Sequence, residues 1–131
     1  MDKKVMVVDD DPDILILLRD ILEMLDYKVL TVDSGKDCIE ELERGFKGVV
    51  LIDLVMPFMD GWDTIREIIR KGLHKGIVIS IITANGSSNR KKMQGLETYI
   101  YDYISKPFDR EELLSTLEHM HNIKDKEAVE D

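Results

Sequence analysis

Five short apolar runs, nearly free of polar interruption, alternate along the chain with longer stretches that are apolar on one side only. The runs are Val5–Val8, Lys28–Val32, Gly48–Ile52, Ile77–Ile82 and Tyr101–Ser105, rich in Val and Ile. A strand with one wet face alternates apolar and polar residues. An unbroken run suits a strand buried on both faces, the situation inside a parallel sheet covered by helices. Among the intervening stretches, Asp13–Leu25 carries Ile14, Leu17, Leu18, Ile21, Leu22 and Leu25 as a helical stripe. Lys36–Arg44, Trp62–Lys71, Ser88–Leu96 and Arg110–His121 read as weaker or shorter helices. Pro12 sits where a first helical turn tolerates it, with Asp11 as its cap. Ser34 and Asp109 are positioned as further caps, Glu112 completing a capping box after Asp109. Gly45, Gly72 and Gly76 fall where helices should stop. Five β–α repeats imply an α/β protein in three layers, a parallel sheet with helices on both faces.

The 131 residues suffice for one domain, and 44% hydrophobic residues suffice for its core. The domain is expected over residues 1–123, with a charged, disordered tail over 124–131. No linker leads into a second domain, so output is expected from this surface. A net charge of −9 argues against sequence-independent binding to nucleic acid or to anionic membrane. The N-terminal apolar run is too short for a signal peptide, and no segment reaches spanning length. A cytoplasmic location without membrane insertion is the resulting expectation. Cys38, the one cysteine, allows no intrachain disulfide and no thiolate metal cage, and reads as a semi-buried helix residue. His74, His119 and His121 share no helical face with an acid cluster, so metal binding by them is not expected. Trp62 is expected to be partly exposed near the site described next.

In a doubly wound sheet, ligands bind beyond the carboxyl ends of the strands. After the first run come Asp9, Asp10 and Asp11; after the third, Asp53. Thr83 ends the fourth, and Lys106 follows the fifth, before Pro107. Singly, each is an ordinary cap or turn residue; together they have a chemical logic. Carboxylates gathered at one rim repel one another unless a cation is present. Oxygen ligands without His or Cys favour a hard ion such as Mg2+, with Mn2+ as its substitute. A carboxylate can act as a nucleophile toward phosphorus, and Lys106 and Thr83 could meet charge on the transferring oxygens.

VMVVDDDP (Val5–Pro12), LIDLVMPFMDG (Leu51–Gly61), IITA (Ile81–Ala84) and YISKPF (Tyr103–Phe108), in this order and strand context, resemble the receiver domains of two-component response regulators. The resemblance extends to about His121 and is to the chemotaxis-regulator-like, single-domain type. It implies a flavodoxin-like sheet of strand order 2-1-3-4-5 with five helices. It implies that Asp53 is the phosphoacceptor. Asp10, Asp53 and the backbone carbonyl of Val55 would be metal ligands, with Asp9 acting through water. Thr83 and Lys106 would contact the phosphoryl oxygens. Met56-Pro57 and Asp60-Gly61 would shape the loop after the third strand, Gly61 through unusual φ. Thr83 and Tyr103 would form a switch remodelling the face made by helix 4, strand 5 and helix 5. Implied partners are a histidine kinase or histidine phosphotransfer protein and a downstream protein target, with homodimerisation through that same face.

Two departures from the family pattern stand out. Tyr99-Ile100-Tyr101-Asp102 replaces the usual small and acidic residues, and is open to two readings: a partner surface or edge-strand packing. Val55 puts an apolar side chain where it cannot orient attacking water, so fast self-dephosphorylation is not expected. Two rival functions share part of this residue set. A haloacid-dehalogenase-like phosphatase uses a similar residue set, but puts its nucleophile after the first strand and needs acids where this chain has Ala84-Asn85-Gly86. An interaction module of receiver shape would not need the full residue set. Within the receiver reading, a free regulator, a phosphorelay shuttle and a piece of a larger regulator all remain open.

Overall fold

The structure, a computed structural model, describes residues 3–84 and 93–130, the stretch 124–130 by its backbone alone. In chain order it contains β1 (Lys4–Val8), α1 (Pro12–Glu23), β2 (Lys28–Val32), α2 (Gly35–Glu43), β3 (Gly48–Ile52), α3 (Gly61–Arg70), β4 (Ile77–Thr83), β5 (Ile100–Ser105) and α4 (Arg110–Glu130). A 3-10 turn over Glu97–Tyr99 leads into β5. The helix expected over Ser88–Leu96 falls largely outside the described residues. The described part of it is helical only at Met93, followed by a turn. Four α-helices are therefore described where five were expected.

All strands pair in parallel, in the order β2-β1-β3-β4-β5. That order puts β1, β3 and β4 inside, and their side chains are buried almost without exception, as their unbroken apolar runs require. Alternate residues serve two separate cores. Met6, Val8, Val50, Ile52, Ile79 and Ile81 pack with Cys38, Leu42, Ile65 and Ile68 of α2 and α3. Val5, Val7, Val49, Leu51, Ile82 and Ile104 pack with Leu18 and Leu22 of α1 and Leu113, Leu117 and Met120 of α4. Each fully buried aliphatic side chain contributes about 1.5–3 kcal/mol. Cutting one such as Ile65 back to Ala costs about 2–5 kcal/mol.

Caps hold the helix starts at the sheet's rim. Asp11 accepts from Asp13 N at 2.9 Å and Ser34 Oγ from Asp37 N at 3.1 Å, as the sequence indicated. Asp109 also caps, but accepts from Glu111 N at 2.9 Å, not through the expected box with Glu112. The reciprocal box forms instead at α3, between Asp60 and Asp63, a pair hidden from the usual Glu/Gln pattern because an Asp fills the third position. Gly45 and Gly72, at φ +104° and +70°, end α2 and α3.

Three expectations are corrected. The α1 stripe is narrower than read: Leu17 and Leu25 are 46% and 37% exposed, and only Leu18 and Leu22 are fully covered. Trp62 is 3% exposed: it is the second residue of α3 and lies in the same core as Ile65 and Ile68. The segment expected as a disordered tail is helical, α4 running to Glu130. No Gly or Pro interrupts Arg110–Glu130, and Lys, Glu and Ala favour continuation. Among the described residues no helix is long and apolar enough to cross a membrane.

Candidate functional site

β1 and β3 are register neighbours, Val8 opposite Ile52, so the residues following them meet at one rim. Asp53 N donates to Val8 O at 2.9 Å, continuing the ladder one step. Asp9, Asp10 and Asp53 each offer a carboxylate oxygen within 4.8 Å of the others. β4 and β5 end together, Thr83 opposite Ser105, and Lys106 N donates to Thr83 O at 3.0 Å. Four strands thus deliver Asp9, Asp10, Asp53, Thr83 and Lys106 to one place.

Their environments differ. Asp9 is fully buried, and both its oxygens are used: one accepts from Asp11 N at 2.9 Å, the other from Lys106 Nζ at 2.5 Å. Asp10 is exposed. Asp53 is 6% exposed; it accepts from Lys106 Nζ and from Val55 N, each at 3.4 Å, and from the Thr83 hydroxyl. One ammonium therefore bridges two carboxylates. Burial, and then the charge of Asp9, hold the Asp53 carboxyl above the usual carboxylate range, although Lys106, Val55 N–H and Thr83 pull the other way. Lys106 loses solvation by burial, yet its bonds to Asp9 and Asp53 hold its ammonium above the ordinary lysine value. Three carboxylates against one lysine leave an excess of negative charge, and the donor set is oxygen alone. These residues fit a hard divalent cation.

The β3–α3 loop is tightly built. A Cβ on Gly61 would lie 2.5 Å from Asp53 O and 2.8 Å from Leu54 Cα. Gly61 is needed for this close approach and not for an unusual φ, which corrects the expectation; the left-handed residue of the loop is Phe58, at φ +67° and wholly exposed. Val55 is 62% exposed beside Asp53. Two clefts of about 460 and 470 Å3 lie elsewhere and include none of the three clustered acids. Of the three acids only Asp10 is exposed; Asp9 and Asp53 are buried beneath it.

Tyr103 lies opposite Ile81, two residues before the Thr83–Ser105 pair. It is 45% exposed, its hydroxyl donating to Met93 Sδ at 3.0 Å, a partner that strand pattern alone could not supply. Tyr99 and Tyr101 are 37% and 40% exposed on the same edge. His121 is buried with its ring nitrogens on Leu117 O and Lys4 O, His74 stacks edge-on against Tyr99, and His119 is exposed. Cys38 is buried completely. The direct Asp9–Lys106 pair was not expected from the sequence, where Lys106 is placed against phosphoryl oxygens alone.

The profile of the response regulator receiver domain matches residues 5–118. The chain belongs to this family. A receiver domain protein of CheY-like type from Methanospirillum hungatei JF-1 is 43% identical, covering 95% of this chain and 98% of that one at a TM-score of 0.89. The chemotaxis protein CheY4 of Vibrio cholerae is 27% identical over 92% of this chain and 99% of that chain, TM-score 0.80. Among curated relatives, the transcriptional regulatory protein ZraR of Escherichia coli K12 is 36% identical over 91% of this chain but only 27% of its own length. For CpxR of the same strain the values are 32%, 87% and 47%. This receiver thus spans between a quarter and half of those regulators.

Proposed function

We propose that this receiver takes a phosphoryl group from a phosphohistidine onto Asp53 and signals to a protein partner in that state. The observation that carries the reading is the meeting of Asp9, Asp10 and Asp53 within 4.8 Å, with Lys106 bonded to both Asp9 and Asp53. An Asp53 carboxylate oxygen attacks phosphorus, an O–P bond forms, the P–N bond to the donor imidazole breaks, and the imidazole leaves with its electron pair and takes up a proton. Lys106 and the Thr83 hydroxyl, both already at Asp53, turn to the phosphoryl oxygens where charge grows. Asp10, Asp53 and the Val55 carbonyl would hold Mg2+, or Mn2+ in its place, with Asp9 acting through water; the ion supplies charge neutralisation when bound. The exposure of Asp10 and the full occupation of both Asp9 oxygens support that division. Thr83 and Tyr103 are the proposed switch, phosphorylation shifting the population of Tyr103 away from Met93. Donors are a histidine kinase or a histidine phosphotransfer protein, and the proposed setting is cytoplasmic.

The test is incubation with acetyl phosphate and Mg2+, followed by intact mass. One added phosphoryl group on the parent and none on Asp53→Asn is expected. Steady release of phosphate from phosphomonoesters would point to a phosphatase instead, and an unchanged parent mass to an interaction module.

A further inference from the structure

The sheet has a second rim, at the N-terminal ends of its strands, and lysines collect there. Lys3 precedes β1 and Lys4 opens it, Lys28 opens β2, Lys47 precedes β3 and Lys75 lies two residues before β4; all five are exposed. They form one contiguous row. Lys4 and Lys28 are register partners, and Lys28 N donates to Lys3 O at 2.7 Å. A Cβ on Gly48 would lie 3.0 Å from Lys4 Cβ, which brings the start of β3 against Lys4. Lys47 Nζ donates to Lys75 O at 2.9 Å, its methylenes lying over Gly76. With neighbouring strands ~4.8 Å apart, the row is roughly 15 Å long. Among the described residues, Lys3, Lys4, Lys47 and Lys75 pair with no carboxylate. Among the described residues the bordering acids include Asp26, in the turn before β2, Glu43, engaged by Lys71 at 2.9 Å, and Glu118, whose charge reaches the Tyr27 ring under Lys3.

A chain of net charge −9 that concentrates cations on one edge is charge-polarised: acids at the C-terminal rim, lysines at the other. We infer that the lysine rim docks a short acidic segment of a protein partner, at the pole opposite Asp53. Attraction from the rim reaches only about one Debye length, ~8 Å at physiological salt. A long nucleic acid or an anionic bilayer would overrun so short a row and meet the acidic remainder of the surface. The nearby aromatic ring offers no stacking platform for bases either, because Lys3 Nζ sits 5.3 Å over the Tyr27 ring. A few carboxylates on an extended segment match both the length of the row and its charge.

Three labelled probes test this by fluorescence anisotropy at low and physiological salt: an oligoglutamate peptide, a single-stranded oligonucleotide, and vesicles of phosphatidylglycerol with phosphatidylcholine. The peptide should bind the full chain, more weakly at higher salt, and more tightly than either other probe. Combined Lys4→Glu, Lys47→Glu and Lys75→Glu should weaken binding by roughly tenfold or more. Lys36→Glu, Arg66→Glu and Arg110→Glu together change net charge equally at other surfaces and should leave affinity within about twofold. A milder Lys4→Gln, Lys47→Gln, Lys75→Gln variant, checked for native circular dichroism, should weaken binding in the same direction. Equal losses in the rim and control variants, no peptide binding at low salt, or tighter binding of the oligonucleotide or the vesicles would overturn the inference.

Discussion

Replacing Lys106 by Met tests the central electrostatic feature of the site. Lys106 lies 2.5 Å from a carboxylate that is wholly buried, and 3.4 Å from a second one, with its own side chain 14% exposed. At an effective dielectric of about 20, the nearer attraction is about 6–7 kcal/mol and the farther about 5 kcal/mol. The ammonium's own desolvation offsets several kcal/mol of this. What remains after the change is Asp9 with one oxygen unpartnered and an acid pair without its cation. Removing one member of a buried pair costs about 3–5 kcal/mol. With a urea dependence of about 2 kcal/mol per molar, the unfolding midpoint should fall by roughly 1.5–2.5 M. Urea titration followed by circular dichroism, in buffer treated with a chelator, measures it. Millimolar Mg2+ should then recover part of the loss in the variant, since a divalent ion offsets the same charges and stabilises by mass action. A midpoint equal to the parent's in chelator would refute the view that Lys106 is the resting counter-ion of Asp9 and Asp53.

Other outcomes follow from the same geometry. Because the folded Lys106 ammonium is held above the lysine value of 10.5, its stabilisation is complete below that pH and is lost as pH rises through the folded value. The stability gap between parent and Lys106→Met should hold through neutral pH and close under alkaline conditions, as urea titrations across that range would show. Gly61→Ala forces a Cβ against Asp53 O and should cost about 1–3 kcal/mol while slowing phosphorylation by acetyl phosphate; wild-type values of both would contradict the close-packing argument. Burial pushes the Cys38 thiol up to about 12, so iodoacetamide at mildly alkaline pH should label it only in denaturant. With Val55 beside Asp53, phosphorylated protein freed of its donor should lose label slowly; loss within seconds would count against the apolar-rim reading.

Most of the fold was legible because strand burial and hydrophobic periodicity record the same fact. Gly48–Ile52 is apolar throughout, and all five of its residues are buried. The site was legible for a topological reason: parallel strands send whatever follows them to one rim, so Asp9, Asp10, Asp53, Thr83 and Lys106 could be grouped without knowing a distance. What failed depended on tertiary detail. Trp62 reads as a rim residue until α3 is docked, and only then does its indole turn inward. The role of Gly61 depends on how closely α3 approaches the backbone of Asp53. The extension of α4 past His121 reflects helix propensity prevailing over a charge-rich composition that suggested fraying. The Lys106 bridge is a product of packing, since Lys-Pro after a strand does not say which of three acids the ammonium will choose.

The division of the interior into two cores has its own consequence. Because β1, β3 and β4 send alternate side chains to opposite layers, a substitution under α2 or α3 is insulated by the sheet from the layer beneath α1 and α4. Each helical side can drift in sequence on its own schedule, constrained jointly only at the strand ends where the acids converge. A fold so partitioned is suited to diversifying the surfaces that choose its associates while leaving its chemistry untouched.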